Sequence, residues 1–391
     1  MSIAVQSEAQ FLEAIRRIAT DVAAKHADDV DRNGRFPQET VDALRDEQAL
    51  SAFVPTRFGG GGLPLEIIAA ACFELGRACG ASGMVYAMHQ IQVATIVRHL
   101  DDAAWFEGYL GELVRNQRLI ASVTSEIGTG GDIGRSIAAV TPGEDGMVSF
   151  EKKAPTVSYG AYADDLLTTL RRAPDAEAND QVVALSGQDQ FTLEQNGTWD
   201  SFGMRGTCSP SYVVRATIPA EQVLPTPFSV AGTVSMVPIS HILWSHIWLG
   251  IATDAFDRAR AFVRASAKNT PDQLPPTATR LSQLLSQLSL LRAEVESGLR
   301  DFVDADASAN REALTTMASI LRFNNLKIAA SEQAPRVCQG AMSVCGIVGY
   351  KNDTPFSIGR HLRDSMSASL MVANDRIHQT NAGLLLIAKD V

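Results

Sequence analysis

The chain has 391 residues, 46% of them hydrophobic and 20% charged, with a formal net charge of −10. This length suffices for two or three domains, and the acidic balance argues against nucleic-acid or membrane-surface binding, which needs basic patches. No uninterrupted apolar run is long enough to span a bilayer, and the first residues lack the pattern of a secretory signal. Five scattered cysteines without metal-ligand spacing predict reduced thiols, no metal site and a cytoplasmic location.

Residues 1–118 are predicted to be helical. Phe11, Ile15 and Ile18 recur at the spacing that places them on one face of a helix. The run RFGGGG at 57–62 predicts a flexible turn, because consecutive glycines disfavour a helix. Long apolar stretches follow this turn, so we expect further helices before residue 118.

Residues 119–229 have a different pattern, with short β-rich runs such as QVVAL and SYVVRATI separated by Pro, Gly and Asp. This pattern is typical of antiparallel strands, and the lack of alternating strands and helices argues against a doubly wound nucleotide-binding fold. Helical periodicity returns over residues 230–391, which predicts a C-terminal four-helix bundle with short connections. The predicted bundle helices cover 240–267, 275–305, 309–338 and 357–388.

Sequence motifs in a particular order connect these three regions to a known family. RFPQETVDALRDEQALSAFVPTRFGGGGL begins at Arg35, SEIGTGGD at Ser125, GMRGTCS at Gly203 and IPAEQVLP at Ile218. The segment QGAMSVCGIVGYKNDTPFSIGRHLRD covers Gln339–Asp364. Together they resemble the acyl-CoA dehydrogenase superfamily over nearly the whole chain. The resemblance implies FAD as cofactor and a mainly α fold, with an N-terminal helical domain, a central antiparallel β-barrel domain and a C-terminal four-helix bundle.

The resemblance also implies which residues contact the flavin. In the family, the loop at Ser125 meets the flavin ring, although a turn selected for backbone geometry alone would have a similar sequence. A second contact lies near Pro155, which stands where the family has a tryptophan that shields the flavin. A glycine-rich loop at Gln339–Gly340 would hold the ADP half through backbone amides, unless it is a plain turn between helices. The implied contacts are Val123, Thr124, Ser125, Val157, Ser158, Gln339, Gly340, Asn374 and Arg376.

The catalytic base of the family is missing from its usual position. Nine residues after Arg363, where the family has a glutamate, this chain has Val372, which cannot accept a proton. Some members carry the glutamate on the first bundle helix, where this chain has Ser240 and His241. We expect His241 to be the substitute base, since imidazole titrates near neutral pH; the alternative is a packed, structural histidine. His89 is a further candidate that either lines the substrate cavity or packs within a helix.

A second departure falls at Ser266, Asn269 and Thr270, where the family pattern Arg-x-x-Phe-Gly reaches the FAD of a neighbouring subunit. Three functions remain open. The favoured one is an FAD-dependent oxidoreductase that oxidises an acyl thioester at Cα–Cβ with a non-standard base and an electron-transfer protein as partner. The second is a monooxygenase of the same fold, supplied by a flavin reductase, and the third is a catalytically depleted subunit of a heteromeric enzyme. The fold normally assembles as a dimer of dimers, so we expect a homotetramer.

Overall fold

The computed structural model describes residues 7–268 and 274–388. Its first part is helical, as predicted from the spacing of apolar residues. Ser7 begins the first helix with a capping box, because its hydroxyl accepts the Gln10 amide while the Gln10 side chain accepts the Ser7 amide. The apolar residues of the predicted stripe are buried on one face of this helix. The helices are α1 (Glu8–Ile18), α2 (Ala24–Asn33), α3 (Gln38–Asp46), α4 (Leu65–Ala78), α5 (Gly80–His99) and α6 (Ala104–Asn116).

The strands of the middle region form two sheets. They are β1 (Ile120–Val123), β2 (Thr141–Pro142), β3 (Met147–Ala154), β4 (Asp165–Arg171), β5 (Gln181–Gly187), β6 (Phe191–Gln195) and β7 (Tyr212–Pro219). One sheet has the order β1-β4-β5 and the other the order β2-β3-β7-β6. Ile120 pairs with Asp165 in a parallel ladder, whereas the other strand pairs are antiparallel. The predicted antiparallel pattern therefore holds with one exception.

Helices return after the strands, and the last predicted one is interrupted. They are α7 (Phe228–Ala231), α8 (Val237–Lys268), α9 (Ala278–Asp306), α10 (Met317–Cys345), α11 (Ile347–Tyr350), α12 (Gly359–Met366) and α13 (Asn374–Leu385). The prediction of one continuous helix over 357–388 is wrong, because the chain leaves helical geometry between α12 and α13. Val372 and Ala373 have φ angles of 49° and 20° there, which a β-branched residue rarely adopts. Apolar periodicity does not report such a break.

The helical run Phe228–Lys268 forms the centre of the core. It is long and apolar enough to cross a membrane by length and composition, but 94% of its most apolar window is buried inside the protein. Helix α4 packs directly against α8. A Cβ at Gly76 would lie 2.8 Å from the Ile247 carbonyl oxygen. A Cβ at Gly250 would overlap the carbonyl oxygen of Phe73. The two backbones can meet this closely because neither glycine has a side chain.

The motifs that carry the family resemblance join the three regions. The Asp364 carboxylate accepts a 2.7 Å hydrogen bond from the Met204 amide, and Arg363 pairs with Asp31 of α2. A Cβ at Gly203 would overlap the Arg363 carbonyl group, so the contact requires glycine. The GMRGTCS stretch, the N-terminal helices and the Arg-Asp pair therefore meet at one buried junction, whose role is structural.

Candidate functional site

Hydroxyl groups gather at the edge of the strand-rich region, where flavin contacts are predicted. The Ser125 hydroxyl donates to the Thr156 carbonyl oxygen at 2.8 Å. The Ser209 hydroxyl donates to that of Ser158 at 2.9 Å, and the Thr207 hydroxyl oxygen lies 2.8 Å from that of Ser209. Hydroxyls both donate and accept, so this edge can bind the donors and acceptors along the polar side of a planar ring.

The other residues predicted for this contact differ in burial and in the hydrogen-bonding groups that they present to a cofactor. Val123 and Val157 are completely buried, and the Val157 amide already donates to the Pro210 carbonyl oxygen at 3.1 Å. Neither valine therefore presents a side chain to a cofactor. Thr124 is half-buried, and its hydroxyl lies 3.5 Å from that of Ser122, so it keeps hydrogen-bonding capacity beside Ser125.

Glu126 explains the acidic residue of the SEIGTGGD motif. Its carboxylate accepts hydrogen bonds from the Ala138 amide at 2.7 Å and the Ser136 hydroxyl at 2.7 Å. The Lys152 ammonium lies 3.6 Å away, and burial lowers the pKa of Lys152 to about 8. The carboxylate therefore shapes the loop from the inside and is not available to a substrate. Loop-organising carboxylates of this kind have no sequence signal beyond the motif itself.

Arg376 lies over a glycine turn of the same loop. A Cβ at Gly130 would lie 2.8 Å from Arg376 Nη2, and a Cβ at Gly131 would lie 3.6 Å from Nε. Both glycines have positive φ, 62° and 83°. The guanidinium thus sits in the first turn of α13, beside backbone without side chains. A helix N-terminus, a guanidinium and an open turn are features that phosphate groups bind.

The predicted loop at Gln339–Gly340 is not a loop. Both residues lie inside α10, which continues to Cys345, and Gln339 is exposed. A Cβ at Gly340 would lie 2.7 Å from a methyl group of Leu284 on α9. The prediction of a backbone cradle at these positions is therefore wrong, because the glycine serves the packing of two bundle helices. The chain leaves the helix only at Gly346, where φ is 59°.

His89 has a structural role, which contradicts its predicted place among the catalytic residues. It is completely buried, its Nε2 lies 2.7 Å from the Leu50 carbonyl oxygen, and its Nδ1 accepts the Ile120 amide at 3.0 Å. Both ring nitrogens are therefore used by backbone groups, and Nε2 must carry the proton. Burial lowers the pKa of His89 to about 4, so the ring is neutral and joins the N-terminal helices to β1.

Ser240 and His241 differ in whether the side chain keeps an atom that can accept a proton. The Ser240 hydroxyl donates to the Met236 carbonyl oxygen one turn earlier, so Ser240 has no base to offer and its predicted catalytic role is not supported. His241 is 2% exposed, and its Nδ1 donates to the Phe323 carbonyl oxygen at 3.1 Å. This bond leaves Nε2 as an acceptor without a protein partner in the described ranges. Burial first, and the charge of Lys327 second, lower the pKa of His241 to about 3.

The position that replaces the catalytic glutamate lies next to a buried lysine. Val372 is half-buried and packs against the core. Two residues on, the Asn374 side-chain oxygen accepts a 2.6 Å hydrogen bond from the Lys327 ammonium, and its nitrogen donates to the Ser331 hydroxyl at 3.1 Å. Asn374 is therefore engaged inside the protein and is not free to contact FAD as predicted. The sequence signal for Lys327 is that it is the single lysine of α10 and precedes the apolar run Ile328–Ala330, since lysines are rarely buried.

Comparison with known proteins agrees with this architecture. Residues 6–116 match the family model "Acyl-CoA dehydrogenase, N-terminal domain". The chain is 23% identical to the probable acyl-CoA dehydrogenase YngJ of Bacillus subtilis, with 93% of this chain and 94% of YngJ covered. It is 25% identical to the probable FMNH2-dependent monooxygenase SfnC of Pseudomonas putida, with 94% of this chain and 92% of SfnC covered.

A solved structure extends the likeness to the whole fold. FMN-bound TdsC from Paenibacillus sp. A11-2 superposes with a TM-score of 0.82 at 20% identity, covering 96% of this chain and 97% of TdsC. TdsC is described as a dibenzothiophene monooxygenase. At this identity the superposition establishes the fold alone. The chain therefore carries an acyl-CoA dehydrogenase N-terminal domain and has the fold that acyl-CoA dehydrogenases share with flavin-dependent monooxygenases.

Proposed function

We propose that this chain is a flavin-dependent oxidoreductase of the oxygen-using type, a monooxygenase. The observation that carries the proposal is the absence of a carboxylate base: the two usual positions hold Val372 and the pair Ser240–His241. Dehydrogenation of an acyl thioester needs a base to remove the α proton, and oxygen transfer to a sulfur, nitrogen or aromatic carbon does not. The likeness to SfnC and TdsC supports the same choice.

The residues present fit a flavin at the junction of the strand-rich region and the last helix. The hydroxyls of Thr124, Ser125 and Ser158 would bind the polar edge of the ring, and Arg376 with the glycine turn would hold a phosphate. A bound flavin supplies electron transfer and, when reduced, reaction with oxygen. The residues of the chain orient the ring and exclude water, and neutral His241 offers an acceptor at Nε2.

We infer that the cofactor is FMN and not the FAD expected from the sequence. The segment predicted to bind the ADP half is helical at Gln339–Gly340 and packs on α9. The family's Arg-x-x-Phe-Gly contact is replaced at Ser266, and Asn269 and Thr270 lie outside the described residues. The flavin released from purified protein, separated by chromatography and titrated back, tests this inference: tighter binding of FAD than of FMN would contradict it.

A coupled assay tests the monooxygenase function. Purified protein would receive reduced FMN from a separate flavin reductase in air, with indole as the probe because TdsC has been crystallised with FMN and indole. We expect an oxygenated indole product that requires protein, reductase and oxygen together. The matched control repeats the assay under argon. Anaerobic bleaching of the bound flavin by any member of an acyl-CoA panel would instead establish a dehydrogenase.

The second candidate is a dehydrogenase that uses His241 as its base and an acyl thioester as its substrate. The observation in its favour is the fixed tautomer, in which Nδ1 donates to Phe323 and leaves the Nε2 lone pair free. A pKa of about 3 makes this imidazole a weak proton acceptor, which is why we rank the candidate second. A third possibility, a depleted subunit, would be supported by protein that purifies without flavin and does not bind it when added.

We also propose that the chain forms a homo-oligomer through the bundle. Several large apolar side chains of this part are exposed in the single chain, and contact with another subunit would remove them from water. Light scattering after size exclusion would show a mass well above one chain, with a tetramer as the expected state. The exposed residues are Leu290, Ile347, Tyr350, Leu370 and Leu386.

A further inference from the structure

Three buried hydrogen-bond donors on α8 and α10 form what we call the donor cluster: Trp244, Trp248 and Lys327. Lys327 and Trp248 are completely buried, and Trp244 is 8% exposed. Among the residues that the structure describes, the indole nitrogens of both tryptophans have no hydrogen-bond partner. The Lys327 ammonium has three protons and donates one bond, to Asn374. The cluster therefore has donors left over and no acceptor assigned to them.

The three donors lie at neighbouring levels between the two helices. Helices α8 and α10 run parallel, since His241 contacts Phe323 and the charge of Arg258 acts on Cys345 further along. Both helices advance about 1.5 Å per residue. One turn beyond the His241–Phe323 contact, Trp244 is therefore level with Lys327.

Trp248 lies two turns beyond the His241–Phe323 contact. At that height on α10 lies Ser331, one turn after Lys327. Residues 241 and 248 share one face of an α-helix because seven residues make nearly two turns. The Trp244 and Trp248 ring centroids lie 6.4 Å apart, and the charge of Lys327 reaches His241, whose ring centroid is 6.3 Å from that of Trp244. In this register the three donors lie on the side of α8 that faces α10.

Leaving this cluster unmatched is costly. In the ranges that the structure covers, no carboxylate forms an ion pair with Lys327, and burial lowers the pKa of this lysine to about 8. A buried ammonium without a counter-charge, and buried N–H groups without acceptors, each lose the hydrogen bonds that water would supply. Buried groups of this kind call for an acceptor in the working protein, such as a bound ligand, ion or water molecule.

We propose that the donor cluster binds an anionic oxygen group of the substrate, a carboxylate or phenolate attached to an aromatic or otherwise apolar body. An anionic oxygen satisfies the ammonium and both indole N–H groups at once, and the indole faces supply flat apolar walls for the rest of the molecule. The inference rests on the proposed function and names the substrate class of that site. It also assigns Lys327 to substrate recognition.

The test compares two probes of equal shape and different charge, benzoate and benzamide. Thermal unfolding and tryptophan fluorescence would be measured on flavin-loaded protein, and separately on protein without flavin, with increasing concentrations of each probe. We expect benzoate to raise the melting temperature and change the fluorescence at concentrations at least about ten-fold lower than benzamide, since the stabilisation by a ligand is set by the ratio of its concentration to its Kd. Equal effects of the two probes, or no effect of benzoate, would overturn the proposal.

Variants separate recognition from a structural role. Lys327→Gln keeps a donor for Asn374 but has no charge, and we expect it to fold, to retain flavin and to lose the preference for benzoate. Lys327→Met should melt no lower than the wild type, because it removes an unpaired buried charge. Lys25→Met, at an exposed lysine on α2, is the matched control and should keep the preference. A Lys327→Gln protein that still prefers benzoate contradicts the proposal.

Two further measurements show whether the bound anion is a substrate or the cofactor's phosphate, and whether a negative result bears on this inference or on the proposed function. If inorganic phosphate protects as well as benzoate, and added FMN displaces benzoate, the bound anion is the cofactor's phosphate and the substrate proposal is overturned. Flavin absorbance is recorded in every sample. A protein that binds flavin without preferring benzoate overturns only this inference, whereas a protein that prefers benzoate but binds no flavin overturns only the proposed function.

Discussion

The Lys327 ammonium donates a 2.6 Å hydrogen bond to the side-chain oxygen of Asn374. This bond ties the middle of α10 to the first residue of α13, directly after the two residues with positive φ. It places a basic group beside Val372 and Ala373, the two residues that precede Asn374.

The Arg376 side chain and the glycine turn give the most direct test of cofactor binding. We expect Arg376→Gln to weaken FMN binding about ten-fold and to reduce its dependence on salt, because a charge-assisted contact to phosphate is lost. Flavin fluorescence titrations at two ionic strengths measure both effects. Arg336→Gln, at an exposed arginine of α10, is the control. Unchanged FMN affinity in Arg376→Gln would remove this residue from the site.

A substitution in the glycine turn should also disturb the phosphate site that Arg376 forms. Gly130→Ala places a Cβ 2.8 Å from the Arg376 guanidinium at a φ of 62°, which strains the backbone and displaces the arginine. We expect weaker FMN binding in a folded protein, measured by flavin titration and by circular dichroism. Gly146→Ala is a matched control, since Gly146 also has a positive φ, 74°, but has nothing near its Cβ position. Equal FMN affinity in the two variants would contradict the assignment.

His89 should prove structural when it is replaced. His89→Ala leaves the Ile120 amide unpaired in the core and removes one of the two side-chain donors to the Leu50 carbonyl, the other being Gln90. This change should lower the free energy of unfolding by about 1–3 kcal/mol. Urea denaturation measures this loss, and flavin binding per folded molecule should stay the same. A variant with wild-type stability and no activity would restore the catalytic prediction.

His241 should make stability depend on pH in a defined direction. Burial lowers the pKa of this ring from 6.5 in the unfolded chain to about 3, so the unfolded state binds a proton first as the pH falls. The stability that neutral His241 contributes is present above about pH 6.5 and is lost progressively toward pH 3. His241→Asn can still donate to Phe323 but does not titrate. We expect the wild type to lose more stability than this variant between pH 7 and pH 4, measured by denaturant unfolding, and parallel curves would refute it.

Asp364 should make stability depend on pH in the direction opposite to that of His241. Burial raises its pKa from 3.8 to about 6, so the folded state retains the proton longer and stability is lost as the pH rises from about 4 through 6. The difference is about 3 kcal/mol for a group this deeply buried. Asp364→Asn keeps an oxygen to accept the Met204 amide and removes the titration. Its unfolding free energy, measured from pH 4 to pH 8, should therefore rise relative to the wild type.

Local pattern predicted much of the architecture. The stripe of Phe11, Ile15 and Ile18 is buried on one face as expected, and the short β-rich runs form strands. The interrupted last helix was missed, because the left-handed backbone at Val372 belongs to a residue type that gives no turn signal. The helical state of Gly340 was missed because its lack of a side chain serves contact with Leu284, and a family motif does not distinguish that use from a loop.

The order of helices and strands and the valine at position 372 can be read from the chain alone, because periodicity and residue identity are local properties. Which polar groups remain free depends on how distant segments pack together. The polar atoms of His89 and Asn374 are hydrogen-bonded to partners distant in sequence. Among the described residues, Nε2 of His241, the indole N–H groups of Trp244 and Trp248 and the remaining protons of Lys327 have no such partner. Hydrogen-bond satisfaction depends on long-range packing, so chemistry at this site could be assigned only after the partners were known.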